Sequence, residues 1–342
     1  MKPRVTVIVS NYNGRQFLEG CINSILQEKS KAYEILFIDD GSRDGSYELV
    51  AETFSHIKNL RLLRNAENLG TSKALNRALH ESKGTYIFFL NNDTILKPGW
   101  FTVIEQTFSR SKKIAVIQGK IYRANTKNFD YAGDYMGPFG FLIERAQGAR
   151  DTGQFDHIDR VFSVKGTCLI IRKNVMLQVG AFDEDYRFGL DETDLTWRAW
   201  IAGYETIFHP GITVWHYYGT KKKTAAYYVD AKIHYEGCKN MIAMHIKNLG
   251  RKRLVTILPI HIACWLALAC ASLARLDTYK SSALFGGIWW NITHLARTLQ
   301  KRRIIQKMRV ISDDDLFALV GAHRDMTYYF SKATSYLTGK PF

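Results

Sequence analysis

The chain has 342 residues, enough for one large domain and a smaller appendage. Its composition is ordinary for a globular protein, and its five cysteines (Cys21, Cys168, Cys238, Cys264, Cys270) show no C-x-x-C spacing, which speaks against a disulfide or zinc framework. The net charge of +15 is concentrated: residues 219–310 carry 17 basic and 3 acidic residues, whereas residues 1–218 carry 27 and 25.

The first half alternates strands and helices. Val5–Ser10 is a β-rich run that ends in the turn cluster Asn11–Gly14, and Phe17, Cys21, Ile22 and Ile25 follow at helical spacing. The apolar run from Val5 to Val9 is too short for a signal peptide, so this part of the chain is expected in the cytoplasm. Further strands are predicted at Glu34–Asp39, Leu60–Leu63, Tyr86–Leu90 and Ile114–Gln118. Helices are predicted at Tyr47–Phe54, Ser72–Glu81 and Trp100–Ser109. Residues 120–165 read as irregular, acceptor-side loops. A strand at Cys168–Arg172, a helix at Asn174–Val179, a helix opening at Asp191 and two short strands, Thr206–Phe208 and Thr213–Trp215, complete the region.

Repeated β-α units of this length imply an α/β fold with a mainly parallel sheet and helices on both faces. Ligands bind such sheets at the carboxyl ends of the strands. Polar clusters fall there three times, at Asn11–Asn13, Asp39–Asp40 and Asn91–Asp93. Asp39 can accept a hydrogen bond from the N3–H of uracil or thymine or from ribose hydroxyls; it can also be a turn aspartate. Asn91–Asn92–Asp93 places one carboxylate beside two amides, a set suited to a hard divalent cation that shares a diphosphate and water. Asp191–Glu192–Thr193–Asp194 opens a helix, where the dipole favours acids. These residues either cap the helix or supply a carboxylate that removes a proton from a hydroxyl. Arg198 lies at ion-pair spacing from Asp194.

In this order, VTVIVSNYNG, FIDDGSRDGS, ENLGTSKALNRAL, FFLNNDT with KPGW after it, and GLDETDLTWRAWIAGY resemble the family 2 glycosyltransferases of the GT-A fold, especially the rhamnosyltransferase-like branch. The resemblance covers about residues 4–218. It implies an inverting transfer of one sugar from a nucleotide-diphosphate sugar (dTDP-rhamnose or a UDP-sugar) to a hydroxyl of a glycan or lipid-linked glycan in cell-surface polysaccharide synthesis. It further implies that Asn11, Tyr12 and Asp39 contact the nucleotide and that Asn68, Gly70, Lys73, Asn91 and Asn92 face the donor. Asp93 and His216 would approach Mg²⁺ or Mn²⁺, and Glu192 would be the base with Asp191 beside it. Two departures stand out: Asn91 replaces the first aspartate of D-x-D, and the acidic pair is Asp-Glu rather than Glu-Asp, which keeps Asp191 as a second candidate for the base. There is no Q-x-x-R-W motif, consistent with addition of a single residue. Two other classes share this kind of sheet: a non-catalytic nucleotide-sugar-binding protein would lack the metal or base carboxylate, and a nucleotidyltransferase would carry a glycine- and lysine-rich loop where SNYNGRQF stands.

The domains expected are 1–219, catalytic; 220–310, basic, helical and membrane-associating; and 311–342, a tail. Leu254–Ala274 holds no Lys, Arg, Asp or Glu and, at about 1.5 Å per residue, matches a hydrocarbon core of about 30 Å. A single span would place Arg297–Arg309 outside, against the positive-inside tendency. Either this segment and Ser281–Ala296 form a hairpin or both lie in the interface at the cytoplasmic face, on an anionic membrane surface. No motif accompanies the charge that would suggest nucleic acid as the partner.

Overall fold

The computed structural model describes residues 3–217 and 231–338. The expected boundary near residue 219 lies outside the described residues.

The chain runs β1 (Val5–Asn11), α1 (Arg15–Leu26), β2 (Tyr33–Asp39), α2 (Ser46–Thr53), β3 (Leu60–Arg64), α3 (Thr71–Glu81), β4 (Tyr86–Asn91), β5 (Thr94–Leu96), α4 (Trp100–Arg110), β6 (Ile114–Arg123) and β7 (Phe129–Tyr131). A hairpin, β8 (Asp134–Met136) and β9 (Leu142–Glu144), precedes β10 (Asp159–Arg160), β11 (Cys168–Arg172), α5 (Lys173–Gln178), α6 (Asp191–Ile201) and β12 (Glu205–His216). The second part is helical: α7 (Ala231–Asn248), α8 (Arg251–Ala274), α9 (Thr278–Thr293), α10 (Leu295–Lys307), α11 (Asp313–Val320) and α12 (Met326–Thr338).

The main sheet has the order β10-β12-β6-β11-β4-β1-β2-β3. Strands β3, β2, β1 and β4 are parallel, as are β6 and β12, whereas β11 lies antiparallel between β4 and β6. The central strands are apolar on both faces because both faces are covered. Val7, Val9, Phe37, Phe88 and Leu90 meet Leu18, Ile22, Trp100 and Ile104 of α1 and α4. Their alternate neighbours Ile8, Leu36, Ile38 and Phe89 meet Ala74, Leu75, Val175, Leu195 and Ala199 of α3, α5 and α6. The two short strands expected near residue 210 are one strand, β12, whose register breaks between His209 and Thr213, where Pro210 has no N–H to donate. Residues 120–165 are more regular than the sequence suggests: β6 continues to Arg123 and the β8–β9 hairpin follows.

The helical part is packed onto α6. Trp197, Trp200 and Ile201 of α6 share a core with Ala243, Met244, Ile257, Ile305, Leu316 and Val320. Much of the basic excess forms internal pairs. Lys247, 2 % exposed, lies between Asp194, 3.0 Å away, and Asp183. Lys301 and Arg297 hold Asp185 at 2.5 and 2.7 Å. Although burial acts in the opposite direction, Lys247 and Lys301 keep the Asp183 carboxyl below the usual carboxylate range.

Removing one partner of a buried pair leaves an uncompensated charge, which costs about 3–5 kcal/mol. Lys247→Met should therefore lower the urea midpoint strongly, whereas Lys252→Met, on the surface, should leave it unchanged. Equal midpoints for the two variants would show that the buried network contributes nothing to stability.

Candidate active site

The parallel register aligns Asn11 with Asp39 and Ser10 with Asn91, so three polar strand ends lie side by side. The Asn11 amide donates to Asp39 Oδ1 (2.9 Å) and Ser42 Oγ (3.0 Å), and its oxygen accepts from Asn92 Nδ2 at 2.5 Å. The Ser42 N–H donates to Asp39 Oδ2 at 2.9 Å. Asp39 is therefore fully enclosed and forms the floor of the crevice, while Tyr12 above the turn is half exposed. Asp40 shapes the neighbouring loop: it accepts from Asn65 Nδ2 (2.7 Å) and from the N–H groups of Leu69 and Gly70 (3.0 Å each).

That loop carries Asn68, Gly70 and Lys73. Gly70 sits at φ 89°, and a Cβ there would meet the Arg187 side chain at 2.9 Å. Arg187, from the turn before α6, donates to Asn68 Oδ1 at 2.9 Å, and its carbonyl accepts from Thr71 N at 3.0 Å. Sequence reasoning missed Arg187, which has no motif of its own. Lys73 is exposed at the first turn of α3. A cavity of about 500 Å³ lined by Asn13, Arg15, Gln16, Glu19, Asp44 and Leu49 lies beside the strand ends and contains none of the candidate acids Asp93, Asp191 and Glu192.

On the other side of the crevice, β5 pairs with β12 so that Thr94 faces His216, which brings Asp93 beside the histidine. His216 Nε2 lies 3.3 Å from Asp93 Oδ1, and Nδ1 lies 2.9 Å from Asp130 Oδ2. Burial would lower the His216 pKa, but hydrogen bonds to Asp130 and Asp93 outweigh it and the net shift is upward. Asp130, fully buried on β7, is a partner that the sequence did not single out. Metal-ligating histidines use a carboxylate on one ring nitrogen to orient the other, and Asp130 holds His216 Nδ1 in that way. Nε2 and the Asp93 carboxylate are thereby two donor groups that suit a divalent cation once Nε2 carries no proton. Among the described residues no group of three or more His, Cys, Asp or Glu is placed to hold one. Asn91 donates to Thr167 Oγ1 at 3.2 Å.

The acidic run at the start of α6 separates into different roles. Asp194 is structural: it is fully buried and held by Arg198 Nε at 2.9 Å, Asn248 and Lys247. Glu192 is partly exposed, and its Oε1 accepts from the Gly166 N–H at 2.9 Å. Asp191 is buried, with Oδ2 lacking a partner. Burial, the neighbouring Glu192 charge and a hydrogen bond to Glu192 push its carboxyl well above the usual range. On the acceptor side, Asp134 faces Glu144 across the β8–β9 hairpin, and burial and that neighbour push it up to about 7. The hairpin adjoins α6 through Ser163, whose Oγ lies 2.7 Å from Thr193 Oγ1.

A parallel sheet covered on both faces, with an enclosed aspartate, a buried aspartate–histidine pair and an acidic helix start at its strand ends, defines a GT-A-type nucleotide-sugar fold. The family model for Glycosyl transferase family 2 matches residues 6–177, and the chain belongs to that family. It is 28 % identical over 209 residues to glycosyltransferase AglE of Haloferax volcanii, covering 60 % of this chain and 64 % of that protein. It is 32 % identical over 109 residues to a teichoic acid poly(glycerol phosphate) polymerase of Staphylococcus epidermidis, covering 32 % and 15 %. The chain thus spans less than two thirds of the length of either relative. Among solved structures it resembles TarS of S. aureus in complex with UDP-GlcNAc (TM-score 0.54, 16 % identity, 76 % of this chain and 71 % of that one). It also resembles the Pyrobaculum calidifontis mannosyltransferase PcManGT in complex with GDP-Man and Mn²⁺ (TM-score 0.53, 16 % identity, 90 % and 86 %).

A carboxyl with a raised folded-state pKa has no effect on stability below its unfolded value of about 3.9. Above that value the unfolded chain ionises while the folded one stays protonated, so stability falls with rising pH by up to about 1.4 kcal/mol per unit. Asp191→Asn removes this loss, and the variant should gain on the wild type steadily from about pH 4 upward toward neutrality. Parallel urea midpoints across that range would mean that Asp191 is ionised in the fold.

Proposed function

We propose that the chain is an inverting glycosyltransferase that moves a single sugar from a nucleotide-diphosphate sugar, a UDP-sugar or dTDP-rhamnose, to a hydroxyl of a glycan or lipid-linked glycan. The observation that carries this is the Asp191–Glu192 pair at the start of α6, one side chain enclosed and the other partly exposed, with Asp93 and His216 at strand ends of the same sheet. Solved structures of similar fold hold UDP-GlcNAc or GDP-Man with Mn²⁺, and a relative in sequence polymerises a teichoic acid. These likenesses support a donor of this class and a place in cell-surface polysaccharide synthesis.

Glu192 accepts the proton of the acceptor hydroxyl as its oxygen bonds to the anomeric carbon. The bond from that carbon to the diphosphate breaks on the opposite face, inverting the centre, and the nucleoside diphosphate departs. Asp191 hydrogen-bonds Glu192 and fixes its direction. Asp93 and His216 would hold Mg²⁺ or Mn²⁺, which supplies neutralisation of the charge on the departing diphosphate. Asn11, Asp39 and Tyr12 form the nucleoside end, Asn68, Gly70 and Lys73 the loop beside it, and Asn91 and Asn92 the floor toward the diphosphate. Residues 1–219 form the catalytic domain and 220–310 a region that associates with the cytoplasmic face of the membrane, where a lipid-linked acceptor resides; 311–342 close the chain.

General-base catalysis is typically worth about 10² to 10⁴ in rate. With the donor found by screening a nucleotide-sugar panel, Glu192→Gln should lower kcat by about that factor with donor affinity unchanged, and Asp191→Asn should cost less. Normal transfer by Glu192→Gln with a dead Asp191→Asn would transfer the role to Asp191. In the same assay turnover should stop in excess chelator and return with Mn²⁺ or Mg²⁺. Full turnover without metal would remove Asp93 and His216 from that role.

A further inference from the structure

The apolar surface of the helical part is organised by face. On α8 the buried residues Ile257, His261, Ala269 and Ser272 form one stripe along nearly the whole helix. His261 Nε2 lies 2.8 Å from the Phe139 carbonyl at the tip of the β8–β9 hairpin, and Ser281 Oγ donates to the Ala269 carbonyl at 3.0 Å. The opposite stripe, with Val255, Ile260, Leu266 and Leu273, is exposed. On α9 the buried stripe Lys280, Leu284, Gly287 and Asn291 packs on α7, and Asn291 donates to the Lys239 carbonyl at 3.0 Å. Its outer stripe is Phe285, Trp289 (64 % exposed) and Ile292 (59 %), at i, i+4 and i+7. Leu276 in the turn between the two helices is 86 % exposed.

Only 22 % of the apolar stretch of α8 is buried, so it is not the core helix of a soluble body. Its first half meets the β8–β9 hairpin at Ile257 and His261 and its second half packs on α9 and α7, and a helix crossing a bilayer would have to give up the hairpin contacts. An outer face of leucine, isoleucine, phenylalanine and tryptophan remains, bordered by the exposed bases Arg251, Arg275, Arg303 and Lys307. Apolar face and basic border together match an anionic lipid surface: the first enters the headgroup–acyl boundary to about 5–10 Å while the second pairs with lipid phosphates.

Deepening the membrane reading above, we propose that α8 and α9 dock lengthwise into one leaflet, with Phe285, Trp289 and Ile292 as the inserting ridge, and that Leu254–Ala274 does not cross the bilayer. The geometry toward the site follows. Helix α9 packs on α7, and Asn240 of α7 donates to the carbonyls of Phe188 and Gly189, at 3.1 and 2.8 Å, in the turn that leads into Glu192. The turn before Glu192 stands two helix layers, α7 and α9, about 20 Å, from the outer face of α9. An acceptor glycan anchored by a lipid diphosphate reaches the base without leaving the membrane.

The test uses the full chain. Sedimentation with vesicles of phosphatidylcholine and phosphatidylglycerol should be strong for the wild type and fall at least tenfold in Phe285→Ser/Trp289→Ser/Ile292→Ser, with the urea midpoint kept. In the Cys270→Ser background, Leu276→Cys in intact bacterial cells should resist a membrane-impermeant maleimide and react once the cells are opened. No sedimentation of the wild type would sink the membrane reading itself, leaving the donor assay untouched. Equal sedimentation of the triple variant, or labelling of Leu276→Cys from outside, would overturn the inserted face and the one-leaflet geometry. A dimer in solution that the triple substitution abolishes, with vesicle binding intact, would assign the ridge to a second copy instead.

Discussion

The ammonium of Lys247 is the hinge of the structure. It comes from α7, outside the sheet, and lies buried between Asp194 of α6 and Asp183 of the turn that leads into that helix. Neither carboxylate could be buried alone, and a cation there lets the α6 start, its preceding turn and the appended helices form one body. Arg198 completes the arrangement by holding Asp194 from four residues along and donating to the carbonyls of Val179 and Ala181. The start of α6 is positioned by charges on elements that the sequence separates widely.

The same arrangement explains why three acids can occupy one helix start. Each meets a different environment: Asp194 meets two cations, Asp191 an enclosed space without a partner for Oδ2, and Glu192 a backbone N–H and partial solvent. Nearby residues thus divide into a doubly paired structural ion, an enclosed acid whose carboxyl is pushed upward, and a partly exposed side chain held by a backbone N–H. Electrostatic individuality comes from burial and partners, not from residue type.

Much of the architecture was legible from the sequence. Apolar runs ending in polar clusters marked β1, β2 and β4, and their parallel register follows from the connecting helices. The acidic run at the start of α6 and the i, i+4 pairing of Arg198 with Asp194 were visible too. What was hidden depends on distance along the chain. Asp130 meets His216 only through the pairing of β7 and β12 with β6, and Arg187 meets Asn68 only because α3 and the α6 turn lie on one face. The enclosure of Asp39 is a packing result, set by Asn11 and Ser42 closing around its carboxylate. The distribution of charge misled in one respect: the basic excess of the helical part reads as surface, yet Lys239, Lys247 and Lys280 are buried.

Gly166 bears on how narrowly the acidic cluster can evolve. A Cβ at that position would stand 2.4 Å from Glu192 Oε1, closer than any side-chain contact tolerates. A methyl group would force the carboxylate to another rotamer and break the hydrogen bond from the Gly166 N–H. The missing side chain therefore leaves room for this orientation of the glutamate, and a residue larger than glycine at 166 would be accommodated by swinging the Glu192 carboxylate away from it.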